Sequence, residues 1–149
     1  LRIGLQSFWW YWIAVAVVAV GLSFLLARRQ ALRDQEPFWS APTRRVAQSV
    51  AAPLAVGAIL TLTARYDATL IVGIWLLLYG CALRATGFFT IRGVGELGWL
   101  FIIAGGLFLA VTWRSEHVLT TGLAHGAMGV CFGGFHLAYG LYLAASKKS

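Results

Sequence analysis

The chain has 149 residues, of which 60% are hydrophobic and only 11% charged, and its mean hydropathy is +0.77. A compact water-soluble domain of this size needs more polar side chains than that to cover its surface, so the composition excludes one. The net charge of +7 does not point to nucleic acid, because the basic residues sit at the ends of apolar stretches and form no water-facing patch with access to phosphates.

Crossing a bilayer core about 30 Å thick takes roughly 20 apolar residues at a helical rise of about 1.5 Å per residue. Five stretches meet or approach that length: residues 8–27, 46–64, 68–86, 97–113 and 118–145. The expected fold is therefore all-α, a single domain over residues 1–149 built as an integral membrane bundle of five transmembrane helices.

The first span opens with Phe8, Trp9, Trp10, Tyr11 and Trp12 and closes at Arg28 and Arg29. Trp9, Trp10 and Trp12 suit the headgroup level at one end, and the two arginines suit it at the other. The same aromatic run also has the composition of a binding platform for a quinone or pigment. The longest polar segment follows, from Arg28 to Arg45. Pro37 and Pro42 break helical continuity there, and the segment is expected to lie along the inner membrane surface, where its basic residues meet anionic lipids. Arg44 and Arg45 then anchor the second span. Pro53 falls about two turns into it, removes a backbone hydrogen bond and is expected to kink the helix.

Arg65, Tyr66 and Asp67 form a tight outer turn that makes the second and third spans antiparallel neighbours. The third span is expected to continue past Arg84, whose long side chain snorkels to the inner headgroups or, in a sharper reading, lines a pore. Residues 87–96 read as an inner turn in which Arg92 and Glu96, four apart, pair if helical. The fourth span carries Gly98, Gly105 and Gly106. The last carries Gly122, Gly126, Gly129, Gly133 and Gly140, which at about 100° per residue fall in one narrow stripe, a helix-packing face. His125 and His136 border that stripe. Ionisable groups at membrane depth prompt a functional reading, here as axial ligands of haem or a chlorophyll-type pigment; the plainer reading is a hydrogen bond to a neighbouring helix. His117, beside Glu116, reads as a surface residue.

Cysteines Cys81 and Cys131 form no CxxC pair and read as small packing residues, and no metal site is expected. All five acids, Asp34, Glu36, Asp67, Glu96 and Glu116, fall in joints or at helix ends, which argues against an ion-coupled relay. Residues 87–98 do not follow a strand, so the phosphate-loop pattern fails on context, and no nucleophile–base pair is present. Nine of the twelve basic residues (Arg28, Arg29, Arg33, Arg44, Arg45, Arg84, Arg92, Lys147, Lys148) fall on one side of a five-span arrangement and Arg2, Arg65 and Arg114 on the other. The excess predicts that the chain starts outside and that its carboxyl terminus is cytoplasmic.

Three runs, Trp75-Leu76-Leu77-Leu78-Tyr79-Gly80, Gly87-Phe88-Phe89-Thr90-Ile91-Arg92 and Phe132-Gly133-Gly134-Phe135-His136-Leu137, together with Trp39-Ser40-Ala41-Pro42-Thr43-Arg44-Arg45, resemble the successive signatures of an uncharacterised family of small bacterial multi-span membrane proteins. The resemblance covers almost the whole chain. It implies one more amino-terminal span, six in all, and transfers no mechanism; the tail, with Lys147 and Lys148 after Ser146, departs from the family's pattern. A weaker likeness, in the glycine spacing alone, is to acid-resistance membrane proteins of repeated hairpins. The function expected is that of a non-catalytic accessory subunit of a larger membrane complex of respiratory or photosynthetic type. Such a subunit packs through its glycine-rich faces and contacts lipid, quinone or pigment. The alternatives are a small oligomeric transporter or channel and a membrane-bound stress sensor. Expected partners are membrane lipids and other membrane subunits or further copies of the chain, with no nucleic acid.

Overall fold

The computed structural model describes residues 2–35, 37–63, 68–114 and 121–146, with side chains from Ser7 onward. The turn at Arg65, Tyr66 and Asp67, the pair Glu116 and His117, and the tail lysines Lys147 and Lys148 lie outside the described residues. Among the described residues every regular element is helical: α1 (Arg2–Arg33), α2 (Ala41–Thr63), α3 (Ala68–Thr86), α4 (Arg92–Arg114) and a last span made of α5 (Thr121–Met128), a π-helical segment (Gly129–Gly134) and α6 (Phe135–Ser146). All five spans are long and apolar enough to cross a membrane. The protein is an all-α, multi-pass membrane protein.

The helices overrun the apolar stretches, because capping chemistry and not hydropathy sets where they stop. After α1 the backbone turns at Gln35, whose φ of 53° lies in the left-handed region that ends helices, while the Asp34 amide donates back to the Gln30 carbonyl at 3.0 Å. Helix α2 begins at Ala41 and not near Val46, because Ser40 caps it: the Arg44 amide bonds the Ser40 carbonyl at 3.0 Å, and the Ser40 hydroxyl lies 3.0 Å from that of Thr43. Pro42 sits in the first turn, where its missing amide proton costs nothing, so it starts the helix it was expected to interrupt. The same helix runs on through Pro53.

Helix α3 is the centre of the bundle. It packs closely on α4, on α2 and on α5, and it buries Ile71, Val72, Leu76, Gly80 and Thr86. Lipid is as apolar as leucine, so what joins these helices is close backbone approach and interhelical hydrogen bonding. Glycines provide the approach. A Cβ added at Gly98 would stand 2.7 Å from the Arg84 amide nitrogen and 2.8 Å from the Gly80 carbonyl oxygen, and one added at Gly80 would stand 2.8 Å from the Gly98 carbonyl oxygen. Gly105 lies against Leu76 and Leu77, Gly73 under Leu109, and Gly87 against Gly95. Gly73 and Gly80 on α3 and Gly87 in the turn just after it have a seven-residue spacing, as Gly98 and Gly105 do on α4, the period that keeps one seam facing a partner helix.

Helix α2 meets α3 through a tryptophan laid on a glycine. The Trp75 indole covers Gly57, its Nε1 donates to Thr61 Oγ1 at 2.9 Å, and that hydroxyl donates to the Gly57 carbonyl at 2.7 Å. Further along, Ser49 Oγ donates to the Val46 carbonyl and accepts from Thr86 Oγ1 at 3.2 Å. Helix α1 stands apart. It touches α5 near its start, and at its other end Phe24 meets Phe38 with ring centroids 5.0 Å apart. None of its membrane-spanning window is buried.

Candidate functional site

Two regions hold residues whose chemistry exceeds plain packing: the last span, and the arginine-rich end of the α3–α4 hairpin. In the last span the α-helical ladder gives way at Gly129 to a π segment that runs to Gly134, a distortion frequent at functional sites. His136 follows it. Its Nδ1 lies 2.7 Å from the Phe132 carbonyl, which only accepts, so Nδ1 carries the proton. Its Nε2, 2.9 Å from the Tyr79 hydroxyl on α3, then accepts from that hydroxyl. Phe101, fully buried on α4, closes this group with rings at 4.9 Å from Tyr79 and 5.5 Å from His136.

His125 is engaged differently. Trp12 Nε1 of α1 donates to its Nδ1 at 3.1 Å, and Phe8, only 1% exposed, stands edge-on to the imidazole at 4.7 Å. A neutral ring that accepts at Nδ1 carries its proton on Nε2. Neither imidazole therefore presents a free lone pair. Ligation of haem iron or a pigment's magnesium by His136 would break the Tyr79 bond, and by His125 would require the other tautomer. Among the described residues no group of three His, Cys, Asp or Glu side chains is placed to share a metal ion.

Of the glycines read as a packing face, Gly126, Gly129, Gly133 and Gly140 have nothing within 4 Å of an added Cβ. Among the described residues no other helix comes that close to these four positions, and the π segment offsets the wheel on which the five glycines, Gly122 included, were aligned. Close packing inside the chain belongs to the α3–α4 glycines instead. Of the aromatic anchors, Trp10 is exposed, whereas Trp9 and Trp12 are half-buried, Trp12 through His125. Arg28, Arg29, Arg44 and Arg45 are all exposed.

At the arginine-rich end, the Arg84 guanidinium does not extend freely along the helix. It lies against Gly95, 5.4 Å from the centre of the Phe88 ring and 5.7 Å from that of Trp99, within cation–π range of both. Arg45 stands 6.0 Å from the Phe89 ring. Arg92 pairs with Glu96 at 3.5 Å, as their spacing requires, in a largely exposed contact. Neither α2 nor α4 has an acid in its first turn, so the arginines there add positive charge to the positive helix ends. Beside this cluster, between α4 and α6, runs a groove of about 440 Å³ lined by Glu96, Leu97, Trp99, Leu100, Phe135 and Tyr139 among others. The Tyr139 hydroxyl is buried against Gly93 and has no hydrogen-bond partner among the described residues.

This is the architecture of a membrane-embedded helical protein with tertiary hydrogen bonds at depth. No family model, curated protein or solved structure matches the chain.

Proposed function

We propose that the protein is a non-catalytic subunit of a larger assembly in a bacterial cytoplasmic membrane, of respiratory or photosynthetic type, oriented with its arginine-rich end and carboxyl terminus in the cytoplasm. The observation that carries the proposal is the contrast between two sets of glycines. Gly80, Gly98 and Gly105 of the α3–α4 pair lie against a neighbouring backbone, while Gly126, Gly129, Gly133 and Gly140 stand open along the last span. Small residues let helices associate where no hydrophobic force drives them together, and an open run of them is a surface onto which another subunit's helix fits. Helix α1, with no buried residue in its membrane-spanning window, adds a second unfilled flank. Both histidines are satisfied within the chain, which favours a structural role for them over pigment ligation.

Extraction of the native particle in mild detergent, followed by native electrophoresis and mass spectrometry, tests the proposal. The wild-type chain migrates with other subunits. Gly126→Leu combined with Gly133→Leu releases it from them while its own melting temperature holds, since both added side chains enter open space. Migration of the wild type as a lone chain, or retention of partners by the double variant, refutes the reading.

A further inference from the structure

The groove between α4 and α6 opens at the arginine-rich end, and two of its lining residues touch the cations there. Trp99 forms one wall and stands beside the Arg84 guanidinium; Glu96 forms another and holds Arg92 at 3.5 Å. Leu97, Leu100, Phe135 and Ala138 make the rest of the surface mainly apolar. We propose that this groove binds one anionic phospholipid, with its phosphate against Arg84 and Arg92 and an acyl chain along the apolar floor.

Two observations converge on that occupant. Arg84 and Arg92 do not line the groove themselves but stand against two of its walls, Trp99 and Glu96, and among the described residues Arg84 has no acidic partner, so two guanidinium groups face one carboxylate and the unmatched charge is positive. The volume of about 440 Å³ is in the range of small-ligand sites, and its apolar lining suits a hydrocarbon chain. Arg84 is also already oriented. Its contacts with Phe88 and Trp99 hold the guanidinium in place, so little side-chain freedom remains to be lost on binding. A neutral amphiphile would fill the apolar floor and leave the cations unmatched, so charge is the feature that discriminates.

The test is native mass spectrometry of the full chain in detergent, titrated with dioleoyl-phosphatidylglycerol or dioleoyl-phosphatidylcholine, which share acyl chains and differ in headgroup charge. The wild type binds phosphatidylglycerol more tightly, by about fivefold for each guanidinium engaged. Arg84→Gln lowers phosphatidylglycerol affinity by about fivefold and leaves phosphatidylcholine unchanged, while Arg84→Lys keeps most of the preference. Ala138→Trp, on the exposed side of the groove, weakens both lipids without touching the core. Arg114→Gln, at the far end of α4, changes neither. Equal affinity for the two lipids in the wild type overturns the proposal, as does full preference in Arg84→Gln or undiminished binding in Ala138→Trp.

Discussion

Replacing Gly98 by alanine adds one methyl group at a close backbone crossing of α3 and α4, and the structure fixes what it meets. The new Cβ would stand 2.7 Å from the Arg84 amide nitrogen and 2.8 Å from the Gly80 carbonyl oxygen, both backbone atoms that no rotamer change can move aside. Reaching ordinary contact near 3.4 Å requires α3 and α4 to part by roughly 0.6 Å. A gap of that order forfeits about a quarter to a half of each dispersion contact along the seam, and overpacking of this kind costs about 1–3 kcal/mol. Against it stands the helix propensity of alanine over glycine, about 1 kcal/mol in favour of the substitution. Gly106→Ala isolates that gain, because Gly106 lies on the same helix with nothing within 4 Å of an added Cβ. Unfolding in mixed detergent micelles, followed by circular dichroism, compares the two variants. Gly106→Ala is expected to be neutral or stabilising, with Gly98→Ala about 1–3 kcal/mol below it. Equal stability of the two variants would refute the assignment of the α3–α4 crossing as a backbone-to-backbone contact.

Other substitutions probe separate parts of the fold. Tyr79→Phe removes the donor to His136 Nε2 and is expected to cost about 0.6 kcal/mol, the typical value of an interhelical hydrogen bond in a bilayer, measured by the same unfolding assay. His136→Ala leaves visible absorbance per protein unchanged, since the imidazole is already engaged at both nitrogens; loss of an absorption band on substitution would restore the pigment-ligand reading. Gly57→Leu drives a branched side chain into the Trp75 indole and is expected to lower the melting temperature and to separate α2 from α3 in cysteine cross-linking. His125→Ala removes the acceptor of Trp12 and the ring beside Phe8, so hydrogen exchange in the first turns of α1 is expected to rise while exchange in α3 and α4 stays level.

The spans were legible because lipid imposes a length rule that hydropathy satisfies almost unaided, and the Arg92–Glu96 pair was legible because helical spacing alone brings it together. Helix ends were less so. Ser40 followed by Pro42 is a start signal when read as a cap, yet the same proline reads as a breaker when only apolar content is followed. Packing was the harder problem. A residue facing lipid and one facing another helix are equally apolar, so Phe8 and Trp12 looked like an interfacial belt although they close over His125. The glycines of the last span are spaced for close approach just as Gly73, Gly80 and Gly87 are, and spacing alone does not say which of the two sets is filled within the chain. Nothing in Gly-Val-Cys-Phe-Gly-Gly announces a π segment, and the pairing of Tyr79 with His136 joins residues 57 positions apart.

The isolation of α1 bears on how the chain is made. A helix made before the other four described spans, whose tie to His125 forms only when the last of them arrives, must persist meanwhile as an independent element in lipid. Its uniformly apolar flanks, with valines such as Val17 and Val20 open on the outside, let it do so. The α3–α4 pair, joined by a short link, can lock together while synthesis continues. Assembly then runs from the middle outward, and α1 is fastened only after the helices that follow it.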